Sequence, residues 1–573
     1  SLMARYRSDL RDIEFNLFEL LNCSRHVEGF EKGDFKEVLK QFDKYVEAEI
    51  FPCRQEGDEK GVELTSEGVK APESFKRANR GFYENGWFAL GYPEEIGGMP
   101  APESLSLACT SLAVGANVAY SMYFGLSKAA LNVILKVGSD QQKQQYVPKF
   151  MDGTWGGTMC LTEPGAGSDV GAVKTQAKKL DDASYAISGV KIFISSGESD
   201  LYENNIHMVL ARTPGAPEGT KGISLFIVPR FKINEDGTSG QSNHVKCTKI
   251  EKKMGIHGSA TCEMTFEESQ GFLIGNECEG MKNMFIMMNE ARLLCGMQGE
   301  AQANLATLMS YQYARERSQF SKEIKNLPDV KRLLFKMRAA SRGMRALNLY
   351  VGDLFDEVAA GENKYENEVA LLTPICKSYE SEEGFNVCVD AIQVHGGYGY
   401  CSEYGIEQFV RDTKIATIYE GTNAIQSIDF VLRKILKDEA KTFKILVEKI
   451  QTTLKAGNEK FPQEVKEIQN SLSQAKDILD FYALKAGQKN YDEILFSAQD
   501  FLNFCAHLVV SWRLLEGALK ASELMDCAQA EEREFYESKL TDFKVYTQHF
   551  LIKNRGIAAG ILNFGEDLTS LEL

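Results

Sequence analysis

Residues 415–426, IATIYEGTNAIQ, place one acidic side chain, Glu420, in a segment of apolar and small residues directly before a predicted helix. A carboxyl group kept from water favours its neutral form, so its pKa rises from about 4.3 toward neutral pH, where it can accept a proton usefully. Glu420 is therefore a candidate general base. The alternative is a solvated glutamate on a loop or near a helix start. A lone Glu-Gly-Thr motif favours this alternative, so the rest of the chain must decide.

The composition excludes several classes of protein. The chain has 573 residues, of which 43% are hydrophobic and 25% charged, as in a soluble globular protein. This length predicts roughly three to four domains. The net charge of −16 and the pI of about 5.2 argue against a nucleic-acid-binding surface, which needs clustered Lys and Arg. No apolar run follows Met3, so we expect no signal peptide.

The cysteines and the hydropathy indicate the compartment. The 13 cysteines are scattered, without the paired spacing or the histidine partners of a zinc site. We therefore expect no metal, free thiols and a reducing, cytoplasmic environment. No stretch reaches the roughly 18 consecutive apolar residues of a spanning helix, so we expect no integral membrane contact.

The hydrophobic pattern changes along the chain and divides it into four predicted domains. Residues 1–157 read as an N-terminal α domain, in which an apolar run from Ser104 to Leu135 predicts a buried central helix. Over residues 158–278 the period becomes two, which predicts a middle antiparallel β-barrel domain. Residues 279–437 predict a four-helix bundle that carries Glu420, and residues 438–573 an additional C-terminal helical domain. The predicted fold class is mainly α with a central β domain.

The bundle and the C-terminal domain can be divided further into helices. The four predicted bundle helices run over residues 281–316, 327–360, 368–394 and 422–437. A break at 456–462, which contains Gly457 and Pro462, divides the C-terminal block.

Two glycine-rich segments are candidate binding loops. Residues 160–169, CLTEPGAGSD, combine glycines that allow close backbone approach with hydroxyls suited to polar ring edges and phosphates. Residues 393–400, QVHGGYGY, close a predicted helix, and a helix C-cap explains only one of these glycines. The first segment is not a dinucleotide fingerprint, and taken by itself it reads as an ordinary surface turn rather than a binding loop. The lone histidines His257 and His395 read as satisfied structural groups, and no triad is present.

Taken together, these segments resemble the acyl-CoA dehydrogenase family, and the resemblance covers about residues 35–430. Its large bacterial branch is the most similar, because of residues 254–258, MGIHG, and the long C-terminal block. The motifs that carry the resemblance are Thr162 to Asp169, Gly189-x-Lys191-x-Phe193-Ile194-Ser195, Lys253-Met254-Gly255, Arg317-x-x-Phe320, Gln393-x-x-Gly396-Gly397-x-Gly399, Arg411-Asp412 and Ile418-Tyr419-Glu420-Gly421-Thr422.

The resemblance implies an FAD cofactor bound across a subunit interface. The residues that it assigns to FAD are Met159, Leu161, Thr162, Gly167, Ser168, Phe193, Ile194, Ser195, Arg317, Phe320, Gln393, Gly396, Gly397 and Thr422. Two departures from the family are visible. Phe193 stands where many relatives have Trp, on the route by which electrons leave, and Leu327-Pro328 stands where relatives often have His-Gln, which places one flavin contact in doubt.

The resemblance also implies the reaction. Glu420 would remove the α-proton of an acyl-CoA thioester and flavin N5 would take the β-hydride, giving the trans-2-enoyl-CoA in fatty acid β-oxidation. The Glu420 backbone N–H and a flavin ribityl hydroxyl would polarise the thioester carbonyl. The residues implied to contact the substrate are Ser168, Asn289, Arg292, Tyr419 and Gly421. The expected partners are an electron-transfer flavoprotein as electron acceptor and a second copy of the chain in a homodimer.

Two alternatives stay open. One is an acyl-CoA oxidase of the same fold, in which oxygen reoxidises the cofactor. The other is a non-catalytic relative that acts in assembly or in DNA protection, which the acidic balance and the retained Glu420 disfavour. If Glu420 is not the base, Glu290 is the first replacement to test.

Overall fold

The structure is a computed structural model that describes residues 3–565 and 567–573, and α-helices make up most of it. It comprises two compact units. The unit named here the barrel unit consists of Phe42–Ala101 and Ala116–Ala291. The unit named here the helical unit consists of Ser1–Gln41, Pro102–Gly115 and Arg292–Leu573.

The α-helices in chain order are α1 (Leu10–Glu14), α2 (Lys32–Tyr45), α3 (Arg54–Lys60), α4 (Glu73–Glu84), α5 (Glu103–Ala116), α6 (Val118–Val137), α7 (Asp140–Met151), α8 (Gly280–Phe285), α9 (Met288–Glu316), α10 (Pro328–Ala359), α11 (Glu366–His395), α12 (Gly397–Tyr400), α13 (Glu407–Lys414), α14 (Asn423–Ile428), α15 (Lys441–Gly457), α16 (Pro462–Gly487), α17 (Tyr491–Met525), α18 (Ala530–His549) and α19 (Asn554–Asn563). The strands are β1 (Glu63–Thr65), β2 (Gly68–Lys70), β3 (Trp155–Cys160), β4 (Gln176–Lys179), β5 (Tyr185–Ser195), β6 (Asn204–Arg212), β7 (Ile223–Pro229), β8 (Phe231–Ile233), β9 (Ser239–Ser242), β10 (Val245–Ile250), β11 (Thr261–Leu273), β12 (Ser318–Gln319) and β13 (Lys322–Glu323).

A seven-stranded sheet forms the centre of the barrel unit. β11 pairs with β5 and β7, and β6 pairs with β4 and β7, so β5, β4, β6, β7 and β11 close into a ring. β3 and β10 extend the sheet beyond this ring. Closure leaves few unpaired strand edges and encloses an apolar core. Its fully buried side chains include Ile187, Val209, Phe226, Val228 and Met264.

The predicted central β domain is confirmed, but its pairing is not wholly antiparallel. β3 and β4 both run parallel to β6. Parallel neighbours need a crossover connection instead of a hairpin, and a period of two in the sequence does not reveal which neighbour a strand will choose. β3 also begins at Trp155, and the β1–β2 hairpin lies at residues 63–70, so strands occur within the segment predicted to be helical.

The apolar run from Ser104 to Leu135 forms two helices instead of one. α5 ends at Ala116, and the side chain of Asn117 caps α6 by accepting a hydrogen bond from the backbone N–H of Tyr120 at 3.1 Å. An asparagine with a free carbonyl oxygen favours a helix start over a helix interior, which explains the break in an otherwise uniform apolar segment.

The helical unit is built around long helices. α10 has 32 residues, α11 has 30 and α17 has 35. The predicted helices at 327–360 and 368–394 are confirmed as α10 and α11. Close packing of α9 on α11 depends on Gly299 and Gly384, because a Cβ added to Gly299 would lie 2.1 Å from the carbonyl oxygen of Glu380.

Two other predicted bundle helices are wrong in detail. The segment 281–316 is interrupted between α8 and α9, where Met287 turns into the core while Phe285 and Ile286 stay exposed. The segment 422–437 is a regular α-helix only over α14 and continues as a π-helix over Asp429–Ile435. Both interruptions replace a regular helix by a local change of direction, which apolar spacing alone does not signal.

The C-terminal block packs against the bundle within the helical unit. Lys449 on α15 forms an ion pair with Glu368 on α11 at 2.5 Å, and the hydroxyls of Tyr379 and Tyr546 lie 2.7 Å apart. The predicted break separates α15 from α16. Residues 438–573 therefore cover bundle helices that would otherwise face solvent.

Two helices are long and apolar enough by composition to cross a membrane. They are α6 and α17, and 67% and 72% of their apolar windows are buried inside the protein. A buried core helix passes the same test, so this is weak evidence for a membrane span.

Candidate active site

Glu420 lies in a tight turn of the helical unit with an unusual backbone. Its φ is +60°, in the left-handed region that non-glycine residues avoid, and the φ of Gly421 is +80°. α14 begins two residues later, with Thr422 as its N-cap. The strain at Glu420 persists because the surrounding structure fixes the turn. Local strain of this kind is more common at functional sites than elsewhere.

Gln426 is the residue that fixes this turn. Its side-chain amide donates hydrogen bonds to the backbone oxygens of Glu420 at 3.0 Å and Gly421 at 3.4 Å. Gln426 is buried and lies on the first turns of α14, so the helix holds the turn that precedes it. The glutamate side chain is thereby aimed by a rigid element instead of by a mobile loop.

Beside the turn lies Lys377 of α11, which sequence reasoning missed. Its side chain is fully buried, and Nζ donates to Asn423 Oδ1 at 2.9 Å. Asn423 is the first residue of α14, and its Nδ2 donates to the Ser378 carbonyl at 3.1 Å. The sequence signal was a single lysine directly after the segment from Ala370 to Cys376 of a predicted core helix.

The environment of Glu420 combines access with crowding. The side chain is exposed, so the expectation that the carboxyl group is kept from water is wrong. Protein atoms nevertheless crowd the carboxyl group and raise its pKa, and the positive charge of Lys377 opposes this rise. A carboxylate that solvent can reach, with a pKa above its ordinary value, can accept a proton from a ligand placed against it.

The residues that line the other sides of the turn are neutral. The hydroxyl of Tyr419 donates to Gln298 Oε1, and burial raises the pKa of Tyr419 well above its ordinary value. The Cys295 thiol donates to the Ala416 carbonyl at 3.5 Å, and burial raises its pKa to about 12. Neither group ionises near neutral pH, so neither competes with Glu420 as a base.

One of the residues predicted to contact substrate has another partner in the structure. Arg292 forms a buried ion pair with Asp429, with Nη1 and Oδ2 2.7 Å apart. This pair joins α9 to the π-helix that follows α14, so the guanidinium is engaged within the protein. Asn289 and Glu290 are half-buried in the barrel unit, where burial raises the pKa of Glu290. The roles of these residues stay predictions.

In the barrel unit, Glu163 anchors the loop 160–169. Its carboxylate accepts from the Lys191 ammonium at 2.6 Å, from the Thr175 hydroxyl at 2.6 Å and from the Lys174 backbone N–H at 2.6 Å. Burial alone would raise the pKa of Glu163, but Lys191 and these hydrogen bonds lower it. The remaining loop residues from Pro164 to Asp169 point outward, except Ala166. A surface loop is thus held rigid by a buried carboxylate.

The same unit presents Phe193 to solvent. Its φ is +55° and its side chain is 61% exposed, whereas the neighbouring Ile194 is buried. Backbone hydrogen bonds from Ile192 N to the Thr162 oxygen at 2.9 Å and from Ser196 N to the Ala260 oxygen at 2.7 Å fix the strand on both sides. An exposed aromatic ring on a rigid strand can receive a flat ligand. Met159, Leu161, Thr162 and Ser195 are half-buried nearby on β3, the loop and β5.

In the helical unit, a second set of predicted residues follows α9 and α11. Phe320 forms the tip of the β12–β13 hairpin and is 84% exposed. Arg317 packs over the Tyr398 ring at 5.5 Å. Gln393, Gly396 and Gly397 are exposed, and a Cβ added to either glycine would meet nothing within 4 Å. The two histidines that we interpreted as structural are hydrogen-bonded to backbone oxygens, His395 to Ala391 and His257 to Asp58 and Lys253.

Family models match four successive segments of the chain. They are described as the acyl-CoA dehydrogenase N-terminal domain at residues 33–154, its middle domain at 158–269, its C-terminal domain at 279–436, and an acetyl-CoA dehydrogenase C-terminal-like domain at 446–572.

Individual relatives match over nearly the whole length. The chain is 35% identical to 3-methylmercaptopropionyl-CoA dehydrogenase of Ruegeria pomeroyi, over 99% of this chain and 100% of the relative. It is 34% identical to a broad-specificity linear acyl-CoA dehydrogenase of Mycobacterium tuberculosis, over 96% of both. The structure superposes on an acyl-CoA dehydrogenase of Bacillus anthracis complexed with FAD, with a TM-score of 0.75, 23% identity and coverage of 93% and 89%. At this identity the superposition shows the fold alone.

Proposed function

The chain belongs to the acyl-CoA dehydrogenase family, and we propose that Glu420 is the base with which it removes the α-proton of an acyl-CoA thioester. The predicted resemblance is confirmed, and so is its large bacterial branch. The protein is an oxidoreductase of the acyl-CoA dehydrogenase class. The mechanism and the roles of single residues are the proposal.

One observation carries the assignment of Glu420. It is an exposed carboxylate whose pKa is raised, held in a strained left-handed conformation by a buried glutamine of the following helix. An α-proton of a thioester is a weak acid, so its removal needs a base that is accessible, correctly aimed and basic enough near neutral pH. Glu420 is accessible, is held by a fixed turn and has a raised pKa, whereas the neighbouring Tyr419 and Cys295 are neutral near neutral pH.

The cofactor of the family is FAD, and the residues of each unit fit it. In the barrel unit, the hydroxyls of Thr162, Ser168 and Ser195 and the ring of Phe193 offer polar and flat contacts, and a Cβ added to Gly167 would meet open space. In the helical unit, Arg317, Phe320, Gln393, Gly396 and Gly397 offer a cation, an exposed ring and accessible backbone. FAD, when bound, supplies the two-electron acceptor for the hydride that leaves the β-carbon.

The work of the chain itself is proton transfer and positioning. A carboxylate oxygen of Glu420 forms a bond to the α-proton while the α-carbon–hydrogen bond breaks, and the electron pair left on carbon forms the α,β double bond as the hydride departs. Gln426 holds the backbone of the base during this step. Tyr419 and Gly421, on either side of Glu420, are the substrate contacts that the resemblance implies. The substrate role of Arg292 stays a prediction, and its ion pair with Asp429 joins α9 to the π-helix that follows α14.

The wider setting is also a proposal. We place the reaction in fatty acid β-oxidation in the cytoplasm, with a homodimeric enzyme that passes electrons to an electron-transfer flavoprotein. An acyl-CoA oxidase would differ in one measurement, because its reduced form would be reoxidised rapidly by air. The experiment bleaches the flavin absorbance with acyl-CoA under anaerobic conditions and then admits air. A rapid return of the absorbance would indicate an oxidase, and a slow return a dehydrogenase.

The test of the proposed function is Glu420→Gln, which keeps the size of the side chain but removes the proton acceptor. Reduction of the bound FAD by a panel of acyl-CoAs is followed by stopped-flow absorbance. Turnover is measured separately with an artificial electron acceptor. We expect acyl-CoA binding to persist and reduction to fall by about 10²–10⁴-fold, the usual contribution of a general base. A loss smaller than about tenfold would show that another residue is the base, with Glu290 the first to test.

A further inference from the structure

We propose that Lys377 is a positioning residue for Glu420: its buried ammonium group, fixed by Asn423, keeps the carboxylate ionised so that it can accept a proton at neutral pH. The inference rests on the proposed function of Glu420 and deepens it. It concerns a residue that neither the motifs nor the resemblance singled out.

Lys377 differs from the other fully buried lysines of the protein. Lys191 and Lys539 lie 2.6 Å from the carboxylates of Glu163 and Asp12, respectively. Among residues 3–565 and 567–573, no carboxylate lies within 4.0 Å of Lys377. Burying an ammonium group without a direct counter-ion is costly, so such a group is seldom retained for packing alone. The cost points to a functional role.

The contacts of Lys377 lead directly to the turn that carries Glu420. Nζ donates to Asn423 Oδ1 at 2.9 Å, and Asn423 is three residues after the base. Asn423 is held in turn by α11, since its Nδ2 donates to the Ser378 carbonyl at 3.1 Å and to the Ser381 hydroxyl at 3.2 Å. The start of α14 is thus tied to α11 at the point where the lysine sits. The geometry fixes the charge relative to the turn.

Lys377 is the positive charge that favours the ionised form of Glu420, because the other ionisable groups near the turn are neutral or already paired. On α9, Cys295 is neutral because burial raises its pKa to about 12, and Arg292 is neutralised by Asp429. On the segment before the turn, Tyr419 is neutral because burial raises its pKa. Burial raises the pKa of Glu420, and the positive charge of Lys377 opposes this rise. Burial lowers the pKa of Lys377, and the negative charge of Glu420 opposes this fall.

Burial of Glu420 and the charge of Lys377 therefore have opposite effects on the base. Burial by surrounding protein atoms raises the pKa of Glu420 and makes it a stronger base. The same burial would leave the carboxyl group protonated at neutral pH, where it could not accept a proton. A fixed positive charge restores the ionised form without occupying a carboxylate oxygen, because Lys377 donates to Asn423 instead. The oxygen atoms of the base stay available for the substrate proton.

The experiment compares Lys377→Gln, Lys377→Arg and a control, Lys539→Gln, which removes a buried lysine elsewhere in the helical unit. For each variant, matched for FAD content, kcat/KM is measured against pH with an artificial electron acceptor. An opposite charge nearby lowers the pKa of a carboxyl group by about 1–3 units, so Lys377→Gln should move the acid limb upward by about one pH unit or more. Activity then falls about tenfold below the limb and recovers at alkaline pH. Lys377→Arg should restore the profile, and Lys539→Gln should leave it unchanged.

A second readout does not depend on turnover. The carboxyl infrared band that is lost in Glu420→Gln identifies the protonated base, and its titration midpoint should rise in Lys377→Gln as the acid limb does. If Lys377→Gln does not fold, Asn423→Leu, which frees the ammonium group from its acceptor, should shift the same midpoint in the same direction.

The outcomes separate the two proposals. If Glu420→Gln abolishes reduction but neither the acid limb nor the infrared midpoint moves in Lys377→Gln, the inference is wrong and the proposed function stands. An equal loss of activity at every pH, without rescue by Lys377→Arg, would likewise reduce Lys377 to a packing role. If Glu420→Gln retains activity, the proposed function itself fails.

Discussion

Replacing Glu300 by glutamine should stabilise the helical unit at alkaline pH. Glu300 lies fully buried on α9, and its closest cation, Arg345, is 3.9 Å away and already pairs with Asp12 at 3.0 Å. Glu380 of α11 is also buried, and the two carboxyl groups repel one another when ionised. Burial therefore raises the pKa of Glu300 to about 7.

The magnitude follows from this pKa and the ordinary value of 4.5. The folded protein holds the proton more tightly than the unfolded chain, so the contribution of Glu300 to stability is complete below about pH 4.5 and is lost as the pH rises through about 7. A difference of 2.5 units corresponds to about 3 kcal/mol, at about 1.4 kcal/mol per unit. Glutamine resembles the neutral acid and does not ionise. Glu300→Gln should thus be nearly neutral at pH 4.5 and stabilising by up to about 3 kcal/mol at pH 8.

The assay is thermal unfolding of both proteins between pH 5 and pH 8. For a unit of roughly 300 residues, about 3 kcal/mol corresponds to a rise in Tm of roughly 4–5 °C at pH 8. Glu316→Gln is the matched control, because Glu316 is exposed on the same helix and should change stability by less than about 0.5 kcal/mol. The pKa of buried Glu383 is also raised to about 7, so the Tm of both proteins should still fall in part as the pH rises. Parallel Tm profiles for Glu300→Gln and wild type would refute the reasoning.

The remaining predictions concern the cofactor, its loop and the C-terminal block. The purified protein should be yellow, with about one non-covalent FAD per chain, and a colourless protein that takes up no flavin on reconstitution would contradict the proposed function. Glu163→Gln leaves Lys191 buried without its partner, so it should destabilise the barrel unit by about 3–5 kcal/mol and lower the FAD content, while the exposed control Glu235→Gln should change neither. Deletion of residues 438–573 exposes the surfaces around Glu368 and Tyr379, so it should impair solubility or assembly first; a soluble truncated protein with normal FAD that loses only the chemical step would show that the block takes part in chemistry.

The sequence predicted the elements whose signal is local. The period of two revealed the strands and the apolar spacing revealed α10 and α11, while Glu420 stays the candidate base that the motifs single out. It could not reveal that β3 would choose a parallel neighbour, because that choice depends on a crossover between distant segments. Nor could it show that Lys377 lies beside the turn of Glu420, because 42 intervening residues separate the two in the chain and only the packing of α11 on α14 brings them together.

Backbone strain adds information that no motif contained. Phe193, Phe320 and Glu420 have φ values of +55°, +53° and +60°, and the resemblance assigns each of them to the cofactor or the reaction. At Glu420 the strain is maintained by Gln426, and each such residue costs about 1–3 kcal/mol that the rest of the fold must offset. These three are among fifteen non-glycine residues with positive φ in the described part of the chain, so strain by itself does not assign a role.

At Phe320, the geometry of the turn does not explain why the residue is a phenylalanine. Phe320 and Ser321 form the two-residue loop between β12 and β13, and both have positive φ, as a type I′ hairpin requires. The residues that suit such a loop are Asn and Gly, not a large aromatic, so the turn alone disfavours phenylalanine at this position. The side chain is also 84% exposed and gains almost nothing from the fold. A residue that is unfavourable for its turn and unused in the core is best explained by a contact with a ligand or a second subunit, which is the role that the resemblance gives to Phe320.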